Sequence, residues 1–231
     1  MRYELILFDA DETLFDFKKA EKQALERTMF ALGLDYQENV HLPIYKKVNT
    51  GLWRELEDGL ITQNQLKTER FKRFSTAIEV KCDEHNFSKL YTEFLGQGSF
   101  LFDDSIKLIK SIYQHCKLMI ITNGLTTVQD NRIRKSEIAK YFDEIIVSED
   151  IGVSKPNPKI FEYSVDKIQE IDKSKILMVG DSLSSDIQGG INFGIDTCWY
   201  NPNNDENTGV IKPTFEIKSL MDLSKLLKIY E

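Results

Sequence analysis

The amino-acid sequence predicts an α/β protein with a doubly wound, Rossmann-like parallel sheet that is interrupted by an all-helical insertion. Short, continuous apolar runs recur along the chain, which is typical of strands buried on both faces of a parallel sheet. From about residue 102 these runs alternate with helical patterns, as in a doubly wound sheet. Between the first and second runs, apolar residues recur only at helical spacing.

The apolar runs place the strands, and the helical spacing places the helices. Strands are predicted at residues 5–8, 118–121, 145–147, 176–179 and 195–200, with a short edge strand near 214–217. Helices of the insertion are predicted from residue 17 to before Gly33 and at 43–56, 63–78 and 84–95. Further helices are predicted at 104–113, 128–141, 158–169, 184–193 (capped by Gly194) and 220–229. The predicted domains are an α/β core, residues 1–15 and 97–231, and a helical domain, residues 16–96.

Composition and charge narrow the class of protein. The chain has 231 residues and a net charge of −7, which argues against a general surface for nucleic-acid polymers or acidic membranes. Its cysteines, Cys82, Cys116 and Cys198, are odd in number and lack a Cys-x-x-Cys spacing, so they are interpreted as free thiols in a reducing compartment. No signal peptide and no apolar stretch of roughly 20 residues is present, so the cytoplasm is the expected location.

Two aspartates, Asp9 and Asp11, directly follow the first apolar run. A carboxylate in this position lies at the carboxyl edge of the sheet, where open α/β proteins bind ligands. Two carboxylates so close together repel each other, and a hard divalent cation is the partner that relieves the repulsion. The alternative is a strand that ends in a solvated acidic turn.

Polar residues also follow three later strands. Thr122 and Asn123 end the second run, Lys155 follows the third, and Asp181 and Asp186 follow the fourth. Parallel strands place their carboxyl ends on one side, so these residues are expected to meet at one site. Read separately, Thr-Asn-Gly is more typical of a turn and a loop lysine is more typical of a solvated surface.

The four motifs in this order resemble the active site of the haloacid dehalogenase superfamily of phosphohydrolases. The similarity runs from Leu5 to about Asn201. The sequence segments around Asp9, Lys155 and Asp186 resemble those of the branch that hydrolyses pyrimidine nucleoside monophosphates. Members of this branch are often described as house-cleaning nucleotidases. A small phosphate ester is therefore the expected partner.

The resemblance implies a catalytic role for five residues. Asp9 would be the nucleophile that forms an aspartyl-phosphate, and Asp11 would be the general acid and then the general base. Thr122 and Asn123 would hold phosphoryl oxygens, and Lys155 would supply positive charge to the transition state.

The resemblance also implies a magnesium ion. Its ligands would be Asp9, the backbone carbonyl of Asp11 and the side chain of Asp181. Asp186 would orient a metal-bound water or Lys155 without binding the metal. An aspartate in the first turn of a helix also interacts favourably with the helix dipole, and both roles are compatible.

The helical insertion resembles the cap domain of this superfamily, which sets substrate specificity. Trp53 could stack on a pyrimidine ring, and Asn49 could hydrogen-bond the base or the sugar. The alternative interpretation makes Trp53 part of the cap core and Asn49 a capping residue.

Other functions remain open at the level of sequence. The same chemistry could act on phosphoglycolate or a sugar phosphate. A haloacid dehalogenase is disfavoured, because those enzymes need no metal and generally lack the counterpart of Asp11. A phosphoaspartate switch of the receiver type lacks a large helical insertion. A catalytically inactive regulator is disfavoured because every motif position is intact.

Overall fold

The structure, a computed structural model, describes residues 2–168 and 171–227. The chain forms two compact units, one made of residues 1–17 with 99–231 and the other of residues 18–98. The domain boundaries predicted from the sequence, after residues 15 and 96, lie two residues from these divisions. That the smaller unit acts as a cap stays a prediction.

In the described part of the chain, six parallel strands form one sheet in the order β3-β2-β1-β4-β5-β6. The strands are β1 (Leu5–Phe8), β2 (Lys117–Thr122), β3 (Glu144–Val147), β4 (Ile176–Gly180), β5 (Asp196–Tyr200) and β6 (Phe215–Ile217). Each predicted strand is present, and β6 lies at the edge as expected. The doubly wound fold class is therefore confirmed.

Alternate residues of the central strands point to opposite faces of the sheet, and both faces are covered. Ile6 and Phe8 belong to one apolar layer, whereas Leu5 and Leu7 belong to the other. All four are fully buried. Burial on both sides is the reason why the run is continuously apolar.

The unit of residues 18–98 is helical throughout its regular structure. Its helices are α1 (Phe17–Ala31, of which Phe17 itself belongs to the larger unit), α2 (Glu38–Glu57), α3 (Gln63–Ala77) and α4 (Glu84–Gly96). Five aromatic side chains from α2, α3 and α4 pack together as its core: Tyr45, Phe71, Phe74, Phe87 and Tyr91.

The predicted start of α2 at Pro43 is wrong. The helix begins five residues earlier, and Pro43 lies inside it. The backbone N–H groups of Val40 and His41 both donate to the Gln37 carbonyl, at 3.0 and 2.8 Å. The first turn therefore forms although Pro43 lacks a donor of its own.

The larger unit contains the remaining helices of the described residues. They are α5 (Asp103–Ile112), α6 (Thr126–Arg132), α7 (Ser148–Ile151), α8 (Pro158–Val165), α9 (Gln188–Phe193) and α10 (Leu220–Leu226). A wide helical turn, Leu183–Ile187, precedes α9, so the predicted helix at 184–193 is not α-helical throughout. Gly194 follows α9 with a φ of 84°, which confirms the predicted cap. Residues 169, 228 and 229, at the ends of two predicted helices, lie outside the described residues.

The predicted helix at 128–141 is also wrong, because α6 ends at Arg132. Ile133 and Ile138 are both fully buried in the same apolar layer. In a continuous helix, two residues that are five positions apart point in directions that differ by about 140°, at roughly 100° per residue. One of these two isoleucines would then face away from the core. The chain bends between them, and a short 3₁₀ turn, Ala139–Tyr141, leads into β3.

Among the described residues, no helix is both long and apolar enough to cross a membrane. Cys82, Cys116 and Cys198, which all lie in the described part, are free thiols.

Candidate active site

The candidate site lies at the carboxyl edge of the sheet, where β1, β2 and β4 end side by side. Phe8 pairs in register with Ile120 of β2 and with Val179 of β4. Because the three strands are parallel, the residues after these positions leave the sheet at one place. In chain order, they include Asp9, Asp11, Thr122, Asn123 and Asp181.

Lys155 is the positive centre of the site, although it comes from the loop between α7 and α8. Its Nζ donates to Asp9 Oδ1 at 2.6 Å, to Asp186 Oδ1 at 2.7 Å and to the Ile121 carbonyl at 2.6 Å. The Lys155 side chain is 1% exposed. An ammonium group has three hydrogens, and all three are engaged here. Lys155 is therefore held in one position between two carboxylates.

Asn123 holds the loop that carries Lys155. Its Nδ2 donates to the Lys155 carbonyl at 2.8 Å, and its Oδ1 accepts from the Lys155 backbone N–H at 2.8 Å. The sequence interpretation gave this amide to the phosphoryl oxygens, but in the structure it pairs with the backbone. Thr122 is buried, and its hydroxyl accepts a hydrogen bond from Gln129 Nε2 at 3.0 Å.

Three carboxylates, Asp9, Asp181 and Asp186, are grouped closely enough to hold a metal ion. One oxygen of each lies within 4.8 Å of the others. Thr13 orients Asp181, since its hydroxyl donates to Asp181 Oδ1 at 3.2 Å and accepts from the Asp181 N–H at 3.1 Å. Carboxylate oxygens are the ligands that magnesium prefers, so the donor set fits this ion.

Burial raises the pKa of Asp9 well above its ordinary value; Lys155 counteracts the rise, and the neighbouring carboxylates add to it. Burial, followed by the charge of Asp186, raises the pKa of Asp181 to about 7. Burial lowers the pKa of Lys155, but Asp186 and Asp9 outweigh this effect, so it lies above the ordinary value. A cation among these carboxylates would favour their ionised forms, which supports the same fit.

Asp186 has a double role in the geometry. It belongs to the carboxylate group and also accepts from Lys155, in agreement with the idea that it orients the lysine. Its Oδ2 also accepts from the Ser182 backbone N–H at 3.0 Å, at the start of the wide turn.

The side chain of Asp11 points toward α6, where it contacts two residues that the sequence reasoning missed. Arg132 Nη1 donates to Asp11 Oδ1 at 2.7 Å, and Gln129 Nε2 donates to Asp11 Oδ2 at 2.9 Å. A signal was available, because Gln129 and Arg132 stand three positions apart in a segment predicted to be helical, beside apolar Val128 and Ile133. Thr13, which was also missed, stands inside the first motif.

The two proposed specificity residues lie in the helical unit. Asn49 is buried in the interior of α2, so its interpretation as a capping residue is wrong, and its Nδ2 donates to Glu21 Oε1 at 2.8 Å. Trp53 is half-buried, whereas its neighbour Leu52 is fully buried. Leu52, rather than Trp53, therefore belongs to the fully buried core of this unit.

Comparison with known proteins shows similarity over almost the full chain. Residues 3–194 match the family of haloacid dehalogenase-like hydrolases. Pyrimidine 5′-nucleotidase YjjG of Escherichia coli is 35% identical over 98% of this chain and 99% of its own length. Pyrimidine 5′-nucleotidase PynA of Streptococcus pneumoniae is 36% identical over 96% of this chain and 94% of its own.

One similar solved structure is that of YfnB from Bacillus subtilis, which is named as a HAD-hydrolase and was crystallised bound to magnesium. It superposes with a TM-score of 0.93 at 36% identity and covers 99% of this chain and 100% of its own. The similarity therefore includes both compact units.

Proposed function

This chain belongs to the haloacid dehalogenase-like hydrolases, and on that premise we propose that it is a magnesium-dependent phosphomonoester hydrolase, specifically a 5′-nucleotidase for pyrimidine nucleoside monophosphates. The observation that carries the proposal is the buried Lys155 held between Asp9 and Asp186, with Asp181 beside them. The names of the relatives from E. coli and S. pneumoniae support the choice of substrate.

The chemistry proceeds in two steps. The Asp9 carboxylate attacks phosphorus, which forms an aspartyl-phosphate and breaks the bond to the leaving oxygen, and the Asp11 carboxyl group, which is protonated at this point, gives that oxygen its proton. Asp11 then takes a proton from a water molecule, whose oxygen attacks the phosphorus of the intermediate and releases phosphate with Asp9 regenerated. Lys155 and the Thr122 hydroxyl stabilise the charge on the phosphoryl oxygens.

Magnesium, when held by the carboxylates of Asp9 and Asp181 and the main-chain carbonyl of Asp11, would supply positive charge that reduces repulsion between the nucleophile and the phosphate. Asp186 would act from behind these ligands through its ion pair with Lys155. Asn123 acts on the same lysine through its backbone. Both Asp186 and Asn123 therefore act by fixing the position of the Lys155 ammonium group.

The function is tested by measuring phosphate release from a panel of esters, with magnesium and with a chelator. The panel contains dUMP, dTMP, UMP, purine monophosphates, phosphoglycolate and sugar phosphates. We expect magnesium-dependent release with a preference for the pyrimidine nucleotides. Preference for another ester would keep the mechanism and reject the nucleotidase proposal. No release from any ester would reject both, and 2-haloacids would then be tested.

Asp181→Asn is expected to raise the magnesium concentration needed for half-maximal activity by at least about tenfold, or roughly 1.4 kcal/mol in metal binding. The replacement removes a charged ligand and keeps the shape. A magnesium titration of activity measures the change, and Asp205→Asn, on an exposed loop, is the matched control. An unchanged titration would exclude Asp181 as a ligand.

Trp53→Ala is expected to raise KM for nucleotides more than KM for a small aryl phosphate, because the base on which the indole would stack lies beyond the sugar, whereas the aryl ring is bonded directly to the phosphate oxygen. Leu52→Ala is the control for a core defect, and it should lower stability by about 2–5 kcal/mol without separating the two substrates. If Trp53→Ala changed both KM values equally, Trp53 would have a structural role and would not contact the base.

We also infer that the protein works in the cytoplasm on small molecules, without nucleic-acid polymers or membranes as partners. The free cysteines and the net charge of −7 support this inference.

A further inference from the structure

We propose that Gln129 and Arg132 are positioning residues that hold the Asp11 carboxylate at the place from which it transfers protons. The inference rests on the proposed function, which gives Asp11 the roles of acid and base. It adds two residues of α6 that lie outside the four motifs and determine where that carboxylate stands.

Each oxygen of Asp11 has its own donor. Arg132 binds Oδ1 at 2.7 Å, and Gln129 binds Oδ2 at 2.9 Å. The two donors are also joined to each other, because Arg132 Nη1 donates to Gln129 Oε1 at 3.0 Å. Gln129 Nε2 donates in addition to the hydroxyl of Thr122 at 3.0 Å. The network therefore links Asp11 on one strand end to Thr122 on the next.

The residues that hold Asp11 are buried, whereas Asp11 itself is partly exposed. The side chain of Arg132 is 0% exposed and that of Asp11 is 23% exposed. Gln129 and Thr122 are buried. The holding groups are thus enclosed, whereas the carboxylate that they hold reaches solvent and can meet a substrate.

Arg132 is itself fixed from several directions. Its guanidinium lies over the rings of Phe15 and Phe17, at 5.9 and 5.0 Å from their centroids. Its carbonyl accepts a hydrogen bond from Ser99 Oγ at 2.6 Å. The two rings restrict the guanidinium and the Ser99 hydroxyl restrains the main chain that carries it, so the position of Asp11 is set by groups that are already ordered.

Gly124, which follows Thr122 and Asn123, leaves room for the side chain of Gln129. A Cβ added at Gly124 would lie 2.5 Å from Gln129 Nε2. A side chain at position 124 would therefore push the amide away from Asp11. The presence of glycine at position 124, directly after Thr122 and Asn123, therefore has a steric explanation that does not involve the substrate.

Proton transfer depends on the distance and direction between the acid and the leaving oxygen, so a misplaced Asp11 should fail first where protonation is most needed. An alkoxide or phenoxide leaves poorly without a proton, whereas 4-nitrophenoxide leaves without one. The parameter kcat/KM reports the steps up to departure of the leaving group. It therefore isolates the role of Asp11 as an acid from its later role as a base.

The test compares phenyl phosphate with 4-nitrophenyl phosphate, which are close in shape, for Gln129→Met and Arg132→Lys. We expect kcat/KM for phenyl phosphate to fall about 10- to 100-fold, and that for 4-nitrophenyl phosphate less than about threefold, since general acid catalysis contributes roughly 10²–10⁴-fold. In an Asp11→Asn background the same changes should no longer separate the two substrates.

Arg134→Lys is the matched control, since Arg134 lies two residues beyond Arg132 and pairs with Asp130 instead. It should leave both kcat/KM values unchanged. Equal falls for both substrates in Gln129→Met and Arg132→Lys would overturn the inference and leave a merely structural role. If Gln129→Met fails to fold by circular dichroism, Arg132→Lys decides alone, because it keeps the buried charge. Absence of phosphate release by the wild type would instead reject the proposed function.

Discussion

Asp9→Asn is expected to abolish phosphate release from every phosphomonoester while the protein stays folded. The amide cannot form the acyl phosphate, and loss of a nucleophile lowers turnover by on the order of 10⁴-fold or more. The fold should tolerate the change, because burial and, to a smaller extent, the neighbouring carboxylates already disfavour the charge of Asp9. The loss of the ion pair with Lys155 is therefore partly offset by less repulsion from Asp181 and Asp186.

Two measurements check this prediction. The first is the rate of phosphate release with saturating magnesium, with Asp103→Asn at the exposed start of α5 as a control that should behave as the wild type. The second is intact mass spectrometry after an acid quench, which should detect a phosphorylated wild type and an unmodified variant. A phosphorylated Asp9→Asn protein, or turnover near that of the wild type, would show that another residue is the nucleophile.

Lys155→Met is expected to lower both turnover and stability. Removal of a single group that stabilises transition-state charge costs on the order of 10²–10³-fold in rate. The variant also leaves Asp9 and Asp186 facing each other without the ammonium between them. Breaking a buried ion pair from one side costs about 3–5 kcal/mol. The free energy of unfolding should fall by an amount of that order.

Urea unfolding in the presence and absence of magnesium checks the second half of this prediction. Magnesium should recover part of the lost stability, because a cation bound by the carboxylates replaces part of the missing positive charge. Lys159→Met, at an exposed position of α8, is the control and should change stability by no more than about 0.5 kcal/mol. Unchanged stability and turnover in Lys155→Met would contradict the central place given to this lysine.

The sequence predicted the sheet better than the helices, and the reason is physical. A strand buried on both faces must be apolar at every position, so its bounds are visible in the sequence. The end of a helix depends on what packs against it. Ile133 and Ile138 are both buried in the same apolar layer, which a continuous helix would not allow. The helix α6 therefore ends earlier than the periodic pattern of the sequence predicts. Similarly, the hydrogen bonds to Gln37 formed the first turn of α2 in spite of Pro43.

The candidate site shows the same division. The family resemblance gave Thr122 and Asn123 the same role, as groups that hold phosphoryl oxygens. In the structure the amide of Asn123 holds the Lys155 backbone, and the hydroxyl of Thr122 joins the network of Gln129. Adjacent residues of an extended segment point in opposite directions, so neighbours in sequence acquire different partners.

The sequence by itself determined the order of the strands' polar ends and their convergence on one edge, since parallel strands bring their carboxyl ends together whatever else the chain does. Only the tertiary structure decided which side chains are partners. Asp11 and Arg132 are 121 positions apart, and Lys155 is 146 positions from Asp9. Such pairs depend on how helices and loops pack over the sheet, and this packing follows from burial and volume across the whole core, which no local pattern in the sequence contains.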